Sequence, residues 1–249
     1  MIRVLAIESE YESAKRLGIP NVSTFLYGRA EEFNNDLIIR WGNSILYNNK
    51  DGTKVIEFKN VLNPSKSIHF NCTKSKSLQK LSTVVNTPKF YLSNEIVPEN
   101  KLVVYRPDEH SGGKGFGVIK GEFKVNPYYY ATEFIKTDTE FRVFYCGDKT
   151  MICKRITYNP ERAKQKFVCR SLWNYSFLKK VPKILHNQVM KAKKVLNMDF
   201  GGFDILLSKG KYYFLENNSA CTIDKSEIAK FYNDGIKSLI KKKYPKFSY

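Results

Sequence analysis

Residues 201–218 read Gly-Gly-Phe-Asp-Ile-Leu-Leu-Ser-Lys-Gly-Lys-Tyr-Tyr-Phe-Leu-Glu-Asn-Asn. Two apolar-rich runs flank Lys209-Gly210-Lys211, the pattern of a β-hairpin. A three-residue loop sets position 204 opposite position 216, which puts Asp204 and Glu216 about 5 Å apart on one face, with Asn218 next along it. A two-residue loop would instead send the two carboxylates to opposite faces. Like charges held that close need neutralising, and three oxygen donors with no soft ligand among them suit Mg2+. The plainer alternative is an exposed strand pair that binds nothing.

Working outward, residues 140–155 form a second hairpin pattern with Gly147-Asp148 at its centre, a pair suited to a two-residue turn. In that register Glu140 faces Arg155, and Arg142 shares the face of Glu140. Phe141, Val143, Tyr145 and Ile152 take the other face, so the hairpin reads as half-buried, its charged face turned to solvent or to a site. An exposed ion pair of this kind contributes little by itself. Further upstream, residues 103–118 run from a strand into a loop holding Ser111, Gly112, Gly113, Lys114, Gly115 and Gly117 before returning to a strand. Glycines let a backbone fold its amides over phosphates, and Lys114 adds positive charge. A Walker loop is excluded, because GxxxxGK[ST] is absent and a strand follows where a helix would be required. Taken alone, such a loop is also compatible with a mobile turn.

The remainder of the chain supplies the frame. Ile2 to Ile7, a helix from Ser9 to Leu17 stopped by Gly18, and Asp36 to Trp41 read as strand, helix and strand. Between Asn48 and Thr73 the pattern weakens into turns, and a domain boundary is placed near Ile68. Lys74 to Leu81 reads as a helix, Pro88–Leu92 and Lys101–Tyr105 as strands, and Lys183–Leu196 and Lys225–Lys242 as helices. This is an α/β (α+β) chain with a small α/β domain over 1–67, and a larger one over 68–249 that divides near 135 into 68–135 and 136–249.

The 249 residues carry 42 Lys and Arg against 24 Asp and Glu, a net charge of +18. That surplus implies an anionic partner: polyphosphate, an acidic peptide or protein, or nucleic acid, although no nucleic-acid motif supports the last. An AT-rich genome, which favours Lys, Asn, Ile, Tyr and Phe, accounts for part of it. The five cysteines are scattered without a CxxC pair, which speaks against zinc and disulfides and for small core thiols in a reducing cytosol. The amino terminus lacks the apolar core of a secretory signal, and no apolar run approaches the ~20 residues of a membrane span. The expected location is cytoplasmic, or the host cytoplasm for a phage-encoded chain.

In order along the chain stand a glycine-rich loop, Glu133-Phe134-Ile135, Glu140 with Arg142, Arg155, Phe-Asp-Ile-Leu and Leu-Glu-Asn-Asn. This ordered set resembles the ATP-grasp superfamily. The likeness is greatest to ribosomal-protein glutamate ligases and the small ATP-grasp proteins found in phage genomes, and it covers roughly Ile68 to Ile223. The resemblance implies two α+β subdomains holding ATP between their sheets. It further implies Asp204, Glu216 and Asn218 as ligands of Mg2+, expected as two ions with Mn2+ an admissible substitute. Glu133, Phe134 and Ile135 would be the hinge that receives adenine, with Lys74, Arg106, Glu140 and the loop from Ser111 to Gly117 on the nucleotide. Arg106 stands where the family carries a lysine, so the charge is kept and its geometry changed. Arg142 and Arg155 match the basic residues near the transferred phosphate and acyl group. Arg170 and Asn174 resemble an acceptor pair, at a longer spacing.

The implied activity is an ATP-dependent carboxylate–amine ligase working through an acyl phosphate, with a peptide, protein or amino-acid acceptor. A kinase on the same fold, or a catalytically idle ATP- or nucleic-acid-binding module, are the alternatives. Basic residues gathered near Arg142, Arg155, Lys164, Lys166 and Arg170 would favour an acidic polymer as acceptor.

Overall fold

The computed structural model describes residues 1–48, 51–52, 55–109, 115, 117–137, 139–157 and 173–247. The chain opens with β1 (Ile2–Ala6), a short 3-10 turn, and α1 (Tyr11–Lys15), which Gly18 follows at φ +67°. After β2 (Val22–Ser23) comes β3 (Leu37–Trp41), all of whose residues are buried. The hairpin of β4 (Tyr47–Asn48) and β5 (Val55–Ile56) then leads to β6 (Val61–Leu62). β1 to β3 and β6 form a parallel sheet of order β2-β1-β3-β6. Nearly unbroken apolar runs such as Leu37–Ile39 fit strands covered on both faces.

Helix α2 (Ser65–Cys72) occupies a stretch that reads from sequence as turns. Its buried residues are Ser65, Ser67, Ile68 and Asn71, so Ile68 enters the core amid polar neighbours and the helix shows no apolar period. Asn197 Nδ2 donates to Ser67 Oγ at 3.0 Å, and Ser77 Oγ donates to Asn71 Oδ1 at 3.1 Å. Then come α3 (Lys74–Ser82), β7 (Phe90–Tyr91), β8 (Ile96–Val97), β9 (Leu102–Pro107), β10 (Gly117–Lys120), β11 (Phe123–Lys124) and β12 (Tyr129–Glu133). They give an antiparallel sheet of order β10-β9-β12-β7 and a short β8–β11 ladder.

The last unit comprises β13 (Thr139–Cys146), β14 (Lys149–Thr157), β15 (Trp173–Phe177), α4 (Lys183–Val195), β16 (Phe200–Ser208), β17 (Lys211–Asn218) and α5 (Ser226–Lys243). Its sheet runs β15-β14-β13-β16-β17. One face, through Val143, Tyr145, Ile152 and Phe203, packs on Leu185, Val189 and Ala192 of α4. The other carries Phe144, Cys146 and Phe200 into a core shared with α5 and the parallel sheet. There Trp41 stacks on Phe200 at 5.4 Å and meets Tyr232 edge-on at 5.0 Å.

The β13–β14 hairpin is therefore not half-buried as its sequence suggests. Phe144 and Cys146 alternate with the apolar set on the charged face, and α5 covers them. Its turn and register follow the sequence: Cys146 pairs with Lys149, and Arg142 with Cys153. Cys146, Cys153 and Cys221 are buried as core thiols, whereas Cys72 is exposed and Cys169 lies outside the described residues. Among the described residues no helix is long and apolar enough to cross a membrane.

Candidate active site

The hairpin β16–β17 turns at two residues, Lys209 and Gly210, with Ser208 paired to Lys211, and the three-residue loop expected from sequence does not form. Both turn residues have positive φ, +48° and +74°, as the favoured hairpin turn with right-handed twist requires. With that turn alone the carboxylates would fall on opposite faces. A register shift between Asp204 and Ile205 restores them: Ile205 pairs with Phe214, but Asp204 pairs with Glu216 and Gly202 with Asn218. One extra residue in β17 moves the pairing by one position. Asn218 Nδ2 lies 3.5 Å from Glu216 Oε1 on that face.

Across the sheet Asp204 pairs with Arg142 of β13. Arg142 grips it in a fork, Nε to Oδ1 at 2.7 Å and Nη2 to Oδ2 at 2.8 Å. Arg155 adds a bond from Nη2 to Oδ1 at 3.0 Å and is also hydrogen-bonded to Glu140 Oε1. Asp204 is 1 % exposed, Glu216 4 %, Arg155 6 % and Glu140 9 %. Burial pushes the Glu140 carboxyl up and the neighbouring Asp204 charge adds to this, while Arg155 and Arg142 oppose it.

The second wall comes from the antiparallel sheet. Arg106 on β9 pairs with Tyr130 of β12, and its guanidinium lies 5.7 Å from the centre of that ring. Its Nε is buried without a hydrogen-bond partner among the described residues. Burial raises the Tyr130 phenol, on which the charges of Arg106, Glu216 and Asp108 also act. The end of β9 is tied to the start of α3: Asp108 accepts from Ser75 N at 2.7 Å and Ser75 Oγ at 2.6 Å, and Lys74 N reaches Asp108 O at 3.1 Å. Lys74 Nζ then reaches Asn217 O at 3.3 Å, which joins α3 to β17. Lys74, Arg106, Arg142, Arg155, Asp204, Glu216 and Asn218 are thus brought to one region between two sheets.

The segment 133–135 leaves this region along β12. The amides of Glu133 and Phe134 are already used, donating to Lys89 O at 2.7 Å and Leu102 O at 2.8 Å. The Glu133 carboxylate takes Lys101 Nζ at 3.0 Å. Gly115, at φ +74°, and Gly117, the first residue of β10, belong to the glycine-rich segment. Ser111, Gly112, Gly113, Lys114, Lys164, Lys166 and Arg170 lie outside the described residues. Asn174 is in β15, paired with Ile156. Sequence reasoning missed Asp108, Tyr130 and Asn217, because each acts through partners distant in the chain; only Asp108, before a helix-opening Lys-Ser pair in space, had a capping residue's chemistry.

Chemically the site is rich in guanidinium and oxygen and poor in nucleophiles. Cys221 is pushed up to about 11 and Cys153 to about 12, in each case chiefly by burial, so neither thiol ionises at neutral pH. Among the described residues no group of three or more His, Cys, Asp or Glu could hold a metal ion. Glu216, Asn218 and Asp204 nonetheless bring two carboxylates and an amide oxygen to one face, with no sulfur or imidazole among them. That fits Mg2+, which takes one or two carboxylates and completes its shell with phosphate oxygens and water.

Neither protein-family models nor curated proteins give a significant match to the chain. Solved structures do. D-alanine–D-alanine ligase from Bacillus anthracis superposes with a TM-score of 0.59 at 12% identity, covering 96% of this chain and 95% of that one. A RiPP-associated ATP-grasp ligase from Chryseobacterium gregarium, solved with ADP and a leader and core peptide, gives 0.53 at 12% over 94% and 95%. The ATP-grasp ligase PsnB, solved with a phosphomimetic variant of its minimal precursor, Mg and ADP, gives 0.53 at 15% over 72% of this chain. The chain spans 62% of the length of that PsnB structure. The fold is that of the ATP-grasp ligases, an α/β architecture with two sheets facing one another across the site.

Proposed function

We propose that this protein is a Mg2+- and ATP-dependent carboxylate–amine ligase acting on a peptide, protein or amino-acid acceptor. The observation that carries the reading is the convergence of Asp204, Glu216 and Asn218 with Arg142 and Arg155 on one sheet, close to Lys74 at the start of α3 and to Arg106 of the other sheet. Residues 1–67, 68–135 and 136–249 are read as the preceding domain and the two halves of the grasp. ATP lies between the halves: Lys74 and Arg106 hold phosphate charge, and the glycine-rich segment 111–117 closes over it. With the Glu133 and Phe134 amides engaged, adenine is received by Ile135 and by carbonyls of the hinge.

When bound, Mg2+ neutralises phosphate charge and aligns the transferring group. One ion or two, with Mn2+ as a substitute, fits the oxygen donors. Arg142 and Arg155 stabilise charge on the carboxylate as it becomes an acyl phosphate, and on the oxyanion formed when the amine attacks. No side chain is required as a nucleophile. The seven-residue glycine-rich segment shields the acyl phosphate from water.

One observation favours a nucleotide-binding module without turnover, namely that Asp204 is held by both arginines. A single assay separates the readings. ADP release in the presence of Mg2+ and ATP is measured with mixtures of amino acids and peptides, and the products are weighed by mass spectrometry. A ligase releases ADP only when carboxylate and amine are both present and yields their condensation product. A kinase needs no amine, and an idle module releases nothing. The Glu216→Gln variant is expected to keep its unfolding midpoint and lose turnover by roughly 100-fold or more, the equivalent of a few kcal/mol of transition-state charge stabilisation.

A further inference from the structure

Five of the twelve large apolar side chains that are exposed among the described residues are Ile7, Phe25, Tyr27, Ile45 and Leu46. All five follow carboxyl ends of the parallel strands: Ile7 after β1, Phe25 and Tyr27 after β2, Ile45 and Leu46 after β3. In the order β2-β1-β3-β6 the chain leaves β1 towards one side and returns to the other, so the sheet has its switch point between β1 and β3. Ligands of open parallel sheets bind in the crevice outside such a point.

The rim of this crevice is built in advance. Asn43, 5 % exposed, donates from Nδ2 to Ala6 O and to Thr24 O, each at 3.0 Å, and accepts from Ile45 N at 3.0 Å, which pins the three post-strand loops together. Tyr47 accepts from Leu26 N at 3.0 Å and carries the Phe25 ring at 5.8 Å, with Tyr27 edge-on to Phe25 at 5.0 Å. Residues 24–27 and 42–47 contain no charged side chain, in a chain whose net charge is +18. The rim packs against the segment that leaves β17. Gly42, at φ +75°, packs so tightly that a Cβ there would lie 2.7 Å from Cβ of Ala220, two residues beyond Asn218.

We infer that the crevice bounded by Ile7, Phe25, Tyr27, Ile45 and Leu46 is the subsite for an aliphatic or aromatic side chain carried by the substrate. The inference rests on the ligase reading for what happens to that substrate, and not for its binding. An uncharged rim beside a charged site sorts substrates by charge: acidic or basic side chains would lose solvation here and gain no partner, whereas an apolar one gains from each methylene it buries.

The test is saturation-transfer NMR on the full chain with N-acetyl-leucinamide, N-acetyl-phenylalaninamide, N-acetyl-serinamide and the amide of N-acetyl-glutamic acid. The first two are expected to bind at least about tenfold tighter than the others, the scale on which apolar pockets discriminate. Tyr27→Ser and Leu46→Ser, both at exposed positions, should each remove most of that preference. Equal binding of all four probes, or a preference untouched by both variants, overturns the inference. A concentration-dependent dimer that Leu46→Ser dissociates assigns the patch to a second copy of the chain and also overturns it. Absence of ADP release with any substrate counts against the ligase reading alone, because the binding signals do not depend on turnover.

Discussion

Replacing Arg155 by alanine tests whether the charged cluster holds the fold together. Arg155 is 6 % exposed and bridges Glu140, 9 % exposed, to Asp204, 1 % exposed. Without it Asp204 keeps the two bonds from Arg142, but Glu140 is left as a buried carboxylate deprived of its main partner. Removing one member of a buried pair costs about 3–5 kcal/mol, a large part of the roughly 5–15 kcal/mol that holds a domain together. Glu140 has one escape, which is to take up a proton. Burial already holds its carboxyl above the usual range, and loss of Arg155 pushes it higher. An acid raised in the folded state contributes stability that is fully present below its unfolded pKa, about 4.3, and is lost as pH rises through the folded value. The variant should therefore be most destabilised at pH 7.5 and recover part of the loss at pH 5. Urea unfolding followed by circular dichroism at both pH values measures this, and Arg155→Ala/Glu140→Gln should recover most of the neutral-pH loss. A change within about 0.5 kcal/mol, as for an exposed pair, would refute the reasoning. So would equal losses at both pH values with no rescue.

Arg142→Gln opens the carboxylate of Asp204, and since hydrogen bonds to charged groups are worth about 1.5–3 kcal/mol, Mn2+ affinity without nucleotide should rise roughly tenfold while turnover falls. Electron paramagnetic resonance of Mn2+ reads it, and an unchanged affinity would remove Asp204 from the ligand set. Gly42→Ala places a Cβ 2.7 Å from that of Ala220 at a left-handed φ of +75°, a combination expected to cost about 1–3 kcal/mol. The thermal midpoint should drop, Gly42→Ala/Ala220→Gly should recover part of it, and an unshifted midpoint would mean that the loop simply moves.

The grouping of the candidate residues on one face was largely legible in sequence because they sit on strands whose alternation fixes their faces. Glu140, Arg142 and Arg155 fall together as the Gly147-Asp148 turn requires, and the period of two needs no tertiary knowledge. What failed to show was anything decided by distant partners. Helix α2 buries serines and an asparagine, which a periodicity search reads as a loop. Strand β15 follows a long charged segment, and its ladder to β14 leaves no local mark. The cover of α5 over Phe144 and Cys146 depends on a helix about eighty residues further on in the chain, so the hairpin reads as half-buried when it is buried. The fork from Arg142 to Asp204 is equally invisible, because it joins strands 62 residues apart.

The pairing of Asp204 with Glu216 came out as the sequence pattern implies, although the turn that seemed to require it does not exist. The turn chooses Lys209-Gly210 for its own conformational reasons, both residues accepting positive φ, and this sends every pair from Ser208 to Ile205 into the register that would separate the carboxylates. The bulge beyond Ile205 then reverses the parity for the three pairs that matter, Asp204 with Glu216, Phe203 with Asn217 and Gly202 with Asn218. Two one-residue effects cancel, and they are not equally local. The turn is set by two residues at the tip. The bulge is held by burial on both sides of it, since Phe214 is fixed in the α4 core while Glu216 faces Asp204 and its arginines. The parity of the face that carries Asp204 and Glu216 is thus set by the core and the charge cluster together, and the tip of the hairpin only determines where the compensating residue must go.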